Sequence, residues 1–490
     1  MMSSILISAA IFSIWCTILF FEKVIGLSML LFVAPITYYI IFISEKSGKV
    51  ENKKAKFLMI PITLLAGTYF IFNNAFFNMI NILAIPLLII IMILLMFNKN
   101  ITFNGQMLDG IFNMFVQPID HIKDTFRKVI EFFSNKSKIK VNIERKNKIK
   151  KIIKAIIITL PIAVVIIGLL STADETFGNL FTGMFKNILI LIRKIQISSF
   201  VGKTIVTIFV FIYLLCFFDF ITSRYKTKTG EKLLNKENVK DNFTIKMILG
   251  VLNVLYLIFC YIQIKSFINI VNVNYAQFAR QGFFQLMIVS VINLFTILIS
   301  KKRENNDDNK YIKIMCLVMI GFTFIILLSS VFRMYQYESA YGYTLLRLLV
   351  YCSLFTEAVL LIPTILYVLD KNVDLPRTYF TIILTVYVCM NIANFDNIIA
   401  KRNVDRYIKT GKIDMEYLKE NTGTDAINQI LKLLSVNEYT DDVKAITKKY
   451  LKQQYENLKY ETLDLREFNM SRVMARNLIA ENMDIIDGVD

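Results

Sequence analysis

Histidine is almost absent. His121 is the only one in 490 residues, which excludes His-based zinc sites and H-E-x-x-H hydrolase chemistry. Cysteine is sparse as well: Cys16, Cys216, Cys260, Cys316, Cys352 and Cys389 all fall inside apolar runs, with no C-x-x-C pair, so a disulfide framework is not expected. Charge is also scarce, at 19% of residues, and it is clustered between long apolar runs instead of being spread along amphipathic faces. No spaced acid pair, Ser/His arrangement or metal-ligand motif stands out, so no catalytic residue, metal or cofactor is assigned.

What the chain has in excess is hydrocarbon. Hydrophobic residues make up 55%, Phe alone contributes 40, and the mean hydropathy is +0.53, more than one soluble core can hide. A helix needs roughly 20 apolar residues to cross the hydrocarbon layer. Eleven segments come near that length, the first at Ile5 to Phe21, the fifth at Ala155 to Ala173 and the last at Tyr379 to Phe395. The expected fold is all-α: a polytopic transmembrane helix bundle with a small C-terminal soluble helical domain. The first span follows Met1-Met2-Ser3-Ser4 without a Lys or Arg and shows no small-residue cleavage site, so it is expected to be retained.

The net charge of +18 invites a nucleic-acid reading, but no base-reading motif accompanies it, and nucleic acid is not expected as a partner. The basic residues instead mark sidedness. Loops after even-numbered spans hold 31 Lys and Arg, loops after odd-numbered spans only 7, as expected if positive residues are retained in the cytoplasm. This places the N-terminus inside and the C-terminal domain outside the cell membrane. Four regions follow: a four-span unit over 1–97, a basic amphipathic cytoplasmic or interfacial segment over 98–154, a seven-span core over 155–395 and a helical extracytoplasmic domain over 396–490. In the second region Leu108, Ile111, Phe112, Phe115, Ile119, Ile122, Phe126, Val129, Ile130 and Phe133 recur at helical spacing, and Pro118 is expected to kink or split that helix. Lys136 to Lys154 is nearly solid with positive charge, a composition suited to anionic lipid headgroups at the cytoplasmic face.

The last 95 residues carry 15 basic and 17 acidic residues, the balance of a soluble domain. Helices are expected near Asn397 to Lys409, Asp414 to Glu420, Asp425 to Leu434, Asp441 to Leu458 and Arg466 to Ala480, with Thr424 and Thr440 placed as N-caps. Such paired helices suit a protein-partner module.

Charged residues inside a span are costly and usually face protein or a water-filled cavity. Glu357 lies mid-span, where a structural hydrogen bond and a transport or proton-relay role are both open. Asp219 lies near a span end and is expected to snorkel. Arg347 is ten residues from Glu357, about 15 Å along a straight helix, so the two cannot pair within it. The most distinctive block, Arg333 to Arg347, holds Tyr335, Tyr337, Tyr341 and Tyr343 between two arginines. Arg333 with Tyr337, and Tyr343 with Arg347, fall at i, i+4, so ring and guanidinium are expected either to anchor the chain at the interface or to build a ligand pocket. Arg280, in the Asn274 to Leu286 block, can reach an anionic group, while Ala276, Ala279 and Gly282 there favour close helix packing; Asp174 and Glu175 sit at the outer mouth between two spans, where water-exposed acids are the ordinary reading.

These blocks, with Ser171 to Asp174, Ile398 to Tyr407, Asp414 with Tyr417 and Leu418, and Asp464 to Arg472, resemble a bacterial family of multi-pass membrane proteins catalogued as domain of unknown function number four-one-seven-three. The resemblance covers roughly Ser171 to Arg472. It departs at Gln281, where an acid is expected, and at Leu465, where Trp is expected. It implies a bacterial cell membrane and no assigned activity. Three functions remain: a non-enzymatic sensor or assembly component, ranked first because it uses both soluble elements; a secondary transporter or channel built around the intramembrane charges; and a membrane enzyme acting on lipid-linked substrates.

Overall fold

The structure is a computed structural model that describes residues 2–98, 105–120, 122–134, 199–224, 242–268, 283–302, 309–369, 372–435, 441–459 and 464–487. Every regular element among them is helical. Among the described residues nine helices are long and apolar enough to cross a membrane, and Gln285–Lys301 forms a shorter apolar helix. The chain is therefore an all-α, multi-pass membrane protein. The expected span at Ala155 to Ala173 lies outside the described residues.

The chain divides into two compact units, Met1–Met59 with Leu87–Thr227, and Ile60–Pro86 with Lys228–Asp490. In the first unit α1 (Met2–Phe20) packs along α7 (Ser199–Asp219), where the Thr207 hydroxyl donates to Thr17 Oγ1 at 2.8 Å. The Tyr39 hydroxyl of α2 (Leu27–Lys46) donates to Ser8 Oγ at 2.6 Å. These small hydroxyl residues let helices approach where no hydrophobic gain is available from leaving lipid. The described parts of the amphipathic segment are α5 (Gly105–Asp120), with Pro118 inside it, and α6 (Ile122–Ser134); His121 between them lies outside the described residues.

In the second unit, α3 (Met59–Ile71) and the start of α4 (Ala75–Phe97) meet α12 (Leu375–Ile392) through a satisfied polar cluster. Asn81 donates to Asn391 Oδ1 at 2.7 Å and accepts from the Tyr387 hydroxyl at 2.6 Å. Helices α8 (Asn242–Ile268), α9 (Phe283–Lys302), α10 (Asn309–Tyr341) and α11 (Leu345–Leu369) share a second apolar core. Buried residues from the start to the middle of α10, among them Ile312, Cys316, Met319, Ile320, Thr323 and Leu327, fall at helical spacing and define one face. On α8 the exposed face is equally regular, with Val251, Val254, Leu255, Ile258 and Ile262, an apolar stripe suited to lipid.

After α12 the chain turns at Asn394, which adopts φ 47° and caps α13 (Phe395–Thr410) by accepting the Asn397 N–H. Gly411, at φ 68°, ends α13 in the left-handed conformation that glycine tolerates. Asp414 caps α14 (Met415–Asn421), and α15 (Ile427–Leu431), α16 (Asp441–Lys459), α17 (Met470–Glu481) and α18 (Met483–Asp487) complete the tail. Thr440 lies outside the described residues. Thr424 does not cap: Gly423 holds the N-cap position without a side-chain bond, because the Thr424 hydroxyl is engaged elsewhere.

The tail core, with Ile399, Leu418, Ile427, Ile430, Leu451 and Ile479, is continuous with the span ends. Phe77 of α4 is buried in it, edge-on to Phe395 at 5.3 Å, a burial that contributes about 1.5–3 kcal/mol. Leu345, Leu348, Leu349 and Cys352 of α11 pack against the same core.

Candidate functional site

Two short turns hold the tail on the spans of the second unit. The first, Asn73-Asn74, joins α3 to α4. The Asn73 N–H donates to Asp425 Oδ2 at 2.7 Å, and its side-chain amide donates to Thr424 Oγ1 at 3.2 Å. Asn74 donates to Asp396 Oδ1 at 2.7 Å, while its own Oδ1 accepts the Phe77 N–H and so fixes the amide orientation. The other Asp396 oxygen accepts the Gly423 N–H at 2.9 Å. Asn469, the N-cap of α17, donates to the carbonyls of Tyr69 and Phe72, both at 2.8 Å, satisfying acceptors at the C-terminal end of α3. The backbones approach so closely that a Cβ on Gly423 would lie 2.3 Å from the Asn73 carbonyl oxygen.

This joint carries two carboxyls, Asp396 buried and Asp425 half-buried. Asp396 is only 2% exposed. Burial pushes its carboxyl up to about 6; the hydrogen bond from Gly423 pulls the other way, the nearby Asp425 raises it further, and Asn74 lowers it. Burial also raises Asp425, opposed by the Asn73 N–H and Ser471. Tyr417 and Tyr450 sense the Asp396 charge, and Arg472 reaches Asn73 Oδ1 at 3.5 Å. Sequence reasoning missed this pair, because an acid one residue past an apolar run reads as ordinary first-turn charge. The available signal was Asn73, Asn74, Asn78 and Asn81, four amides in nine residues at the mouth of a span.

The second turn, 342–344, joins α10 to α11. Gly342 sits at φ +85°, and a Cβ there would lie 2.6 Å from Asn403 Oδ1. Asn403 of α13 accepts the Tyr343 N–H at 3.0 Å and donates to the Tyr343 carbonyl at 2.8 Å. Arg406 donates to the Ala340 carbonyl at 2.7 Å, and the Leu345 N–H donates to the Tyr417 hydroxyl at 2.8 Å. Arg347 donates to the Gly342 carbonyl and stacks on Tyr337 at 4.4 Å and Tyr341 at 6.0 Å. Arg402 lies over Tyr343 at 5.9 Å. Glu338 is buried and hydrogen-bonded with Tyr343 and Tyr351. Burial and the Glu338 hydrogen bond push the Tyr343 hydroxyl up to about 12.

The i, i+4 pairings expected in this block are therefore exchanged. Tyr343 stands in the turn, so it is not on one helix with Arg347, whose guanidinium reaches back to α10. Arg333 bonds Gln263 of α8 at 3.1 Å, and Glu357 bonds Ser290 of α9. Contacts between described residues thus place Arg333, Arg347 and Glu357 in three separate settings. Asp219, expected to snorkel, is instead 2% exposed in the first unit, where Lys128 of α6 pairs with it at 2.6 Å and Thr125 donates to it at 3.0 Å. Arg280 and Asp174 lie outside the described residues.

Residues 59–433 match the family described as "Domain of unknown function (DUF4153)". This overturns the resemblance to family four-one-seven-three. The match spans both turns, Asp396, Asp425 and the arginines at 347, 402 and 406, and ends before Asn469. No curated protein and no solved structure matches the chain.

Proposed function

The chain belongs to the DUF4153 family, since that match covers more than half of it, and from this premise we propose that it is a non-enzymatic sensor or assembly component of the cell membrane. Its N-terminus is cytoplasmic, following the loop charge asymmetry, and its tail is the extracytoplasmic element that meets a ligand or protein partner. The supporting observation is the joint at Asn73-Asn74, where the tail is held to span ends by a largely buried network of hydrogen bonds. Polar joints of this kind are marginal in net energy but costly to break halfway, so they favour two discrete arrangements over gradual loosening. A tail held so can pass a binding event to α3, α4, α10 and α11. At the cytoplasmic face, Lys136 to Lys154 rests on anionic headgroups.

The test is Gly423→Ala in the full-length protein within its native cells, with in-cell cross-linking and quantitative mass spectrometry. Release of the tail at normal membrane abundance is expected to change the set of cross-linked proteins. A released tail with an unchanged set would refute the reading.

A transport reading retains one specific support, the buried Glu357 carboxyl bonded to Ser290 between α11 and α9. It is separated by Glu357→Gln, which abolishes pH-dependent flux only if that carboxyl carries a proton.

A further inference from the structure

Among the described residues, three guanidiniums gather around the turn at 340–343 with no carboxylate within salt-bridge distance. Arg347 begins the span α11, and Arg402 and Arg406 are one turn apart on α13. Their described contacts are two backbone carbonyls, Gly342 and Ala340, and the rings of Tyr337, Tyr341 and Tyr343. No salt bridge reaches any of the three among the described residues. Asp405, beside Arg406 on α13, pairs with neither neighbour, and the buried Glu338 is held with Tyr343 and Tyr351.

Ring stacking and carbonyl bonds orient a guanidinium while satisfying few of its five N–H donors, leaving the planar edge available. The exposure agrees: Arg402 is open to solvent and Arg347 and Arg406 are half-buried. The position is also specific. The turn links two membrane-crossing helices, and α13 follows directly on a third, so these cations stand at the ends of spans, within reach of a lipid headgroup or an aqueous anion. Gly342 lets Asn403 and Arg406 lie close against the turn, because a Cβ there would meet Asn403 Oδ1 at 2.6 Å and Arg406 Nη1 at 3.0 Å.

We propose that Arg347, Arg402 and Arg406 form a binding site for a phosphate-bearing anion where the 340–343 turn meets α13. Two arginines come from the tail and one from a span, so an occupant bridges both sides of the second joint. The inference deepens the sensor reading by naming its ligand class. The two fail separately, since the Gly423 variant reports on the tail and the arginine variants on binding.

The experiment uses full-length protein in dodecyl maltoside, titrated with phosphatidylglycerol, phosphatidylcholine or inorganic phosphate, and read by native mass spectrometry. Wild type is compared with R347Q/R402Q/R406Q and with R402Q alone, whose described contact is the Tyr343 ring. Phosphatidylglycerol is expected to bind at least about tenfold more weakly to the triple variant and about threefold more weakly to R402Q, with phosphatidylcholine weak throughout. Failure of inorganic phosphate to compete identifies a lipid headgroup; competition that depends on the arginines identifies a free phosphate, and either result upholds the site. R402Q that melts like wild type yet binds phosphatidylglycerol and phosphate as wild type does overturns it, whatever the triple variant does.

Discussion

A single methyl group at Gly423 should release the tail from the first turn. Its Cβ would lie 2.3 Å from the Asn73 carbonyl oxygen and 3.0 Å from Asp396 Oδ2. A carbon–oxygen contact needs about 3.3 Å, so the two backbones must separate by about 1 Å. That movement stretches the bonds from Gly423 to Asp396 and from Asn73 to Asp425, now 2.9 and 2.7 Å, and the Asn73–Thr424 bond at 3.2 Å. Two of these have carboxylate acceptors, each worth about 1.5–3 kcal/mol, so after partial relaxation Gly423→Ala should weaken docking by about 2–4 kcal/mol. In hydrogen exchange of the full-length protein, amides at 73–77 and 423–431 should exchange about 30- to 900-fold faster. Gly321→Ala, on an open face of α10 with nothing within 4 Å, is the control and should leave exchange unchanged. Protection at Asn73 and Gly423 within threefold of wild type would refute the close approach.

Docking should depend on pH. Asp396 titrates at about 6 when docked and near 4 when released to water. The docked form therefore holds a proton that the released form gives up. The stabilisation is complete below pH about 4, is lost as pH rises to about 6 and is flat above, by at most about 3 kcal/mol. Tail protection should fall across that window, and Asp396→Asn should make the profile shallower, leaving what Asp425 contributes, while weakening docking, because its amide places N–H groups against the Asn74 or Gly423 donor; an unchanged profile would remove Asp396 from the joint. Lys128→Met strips the described cation from buried Asp219 and should lower the melting temperature, with Lys128→Met/Asp219→Asn recovering part of the loss; no recovery would show that the pair does not act through charge. Cysteines at Phe72 and Thr344 should label from one side of the membrane, as the tail contacts both turns, and labelling from opposite sides would contradict the joint.

The all-α membrane architecture was largely legible in the sequence because membrane helices write themselves in long apolar runs. The tail helices were readable to within a few residues, but their caps were not: Asp414 and Asn469 cap α14 and α17, and neither was expected to. The pairing of side chains was not readable either. Spacing rules assume one continuous helix, and the left-handed Gly342 breaks that assumption between Tyr341 and Leu345. Thr424 looked like a cap because capping is local, whereas its partners Asn73 and Ser471 are 351 and 47 residues distant. Asp396 gave no sign for the same reason: its burial is created by a turn more than 300 residues earlier in the chain. Asp219 looked interfacial until α6 supplied Lys128 and Thr125.

Docking of the tail on the α3–α4 turn is tested most directly by cross-linking across it. The Phe70 and Phe468 rings stack at 5.6 Å, one on α3 and one just before α17. With the native cysteines replaced by serine, Phe70→Cys/Phe468→Cys in intact membranes should be bridged by a short bis-maleimide in most molecules, giving the linked peptide in mass spectrometry. Both thiols capped singly, with no linked peptide above that of either single variant, would contradict a tail seated on the spans.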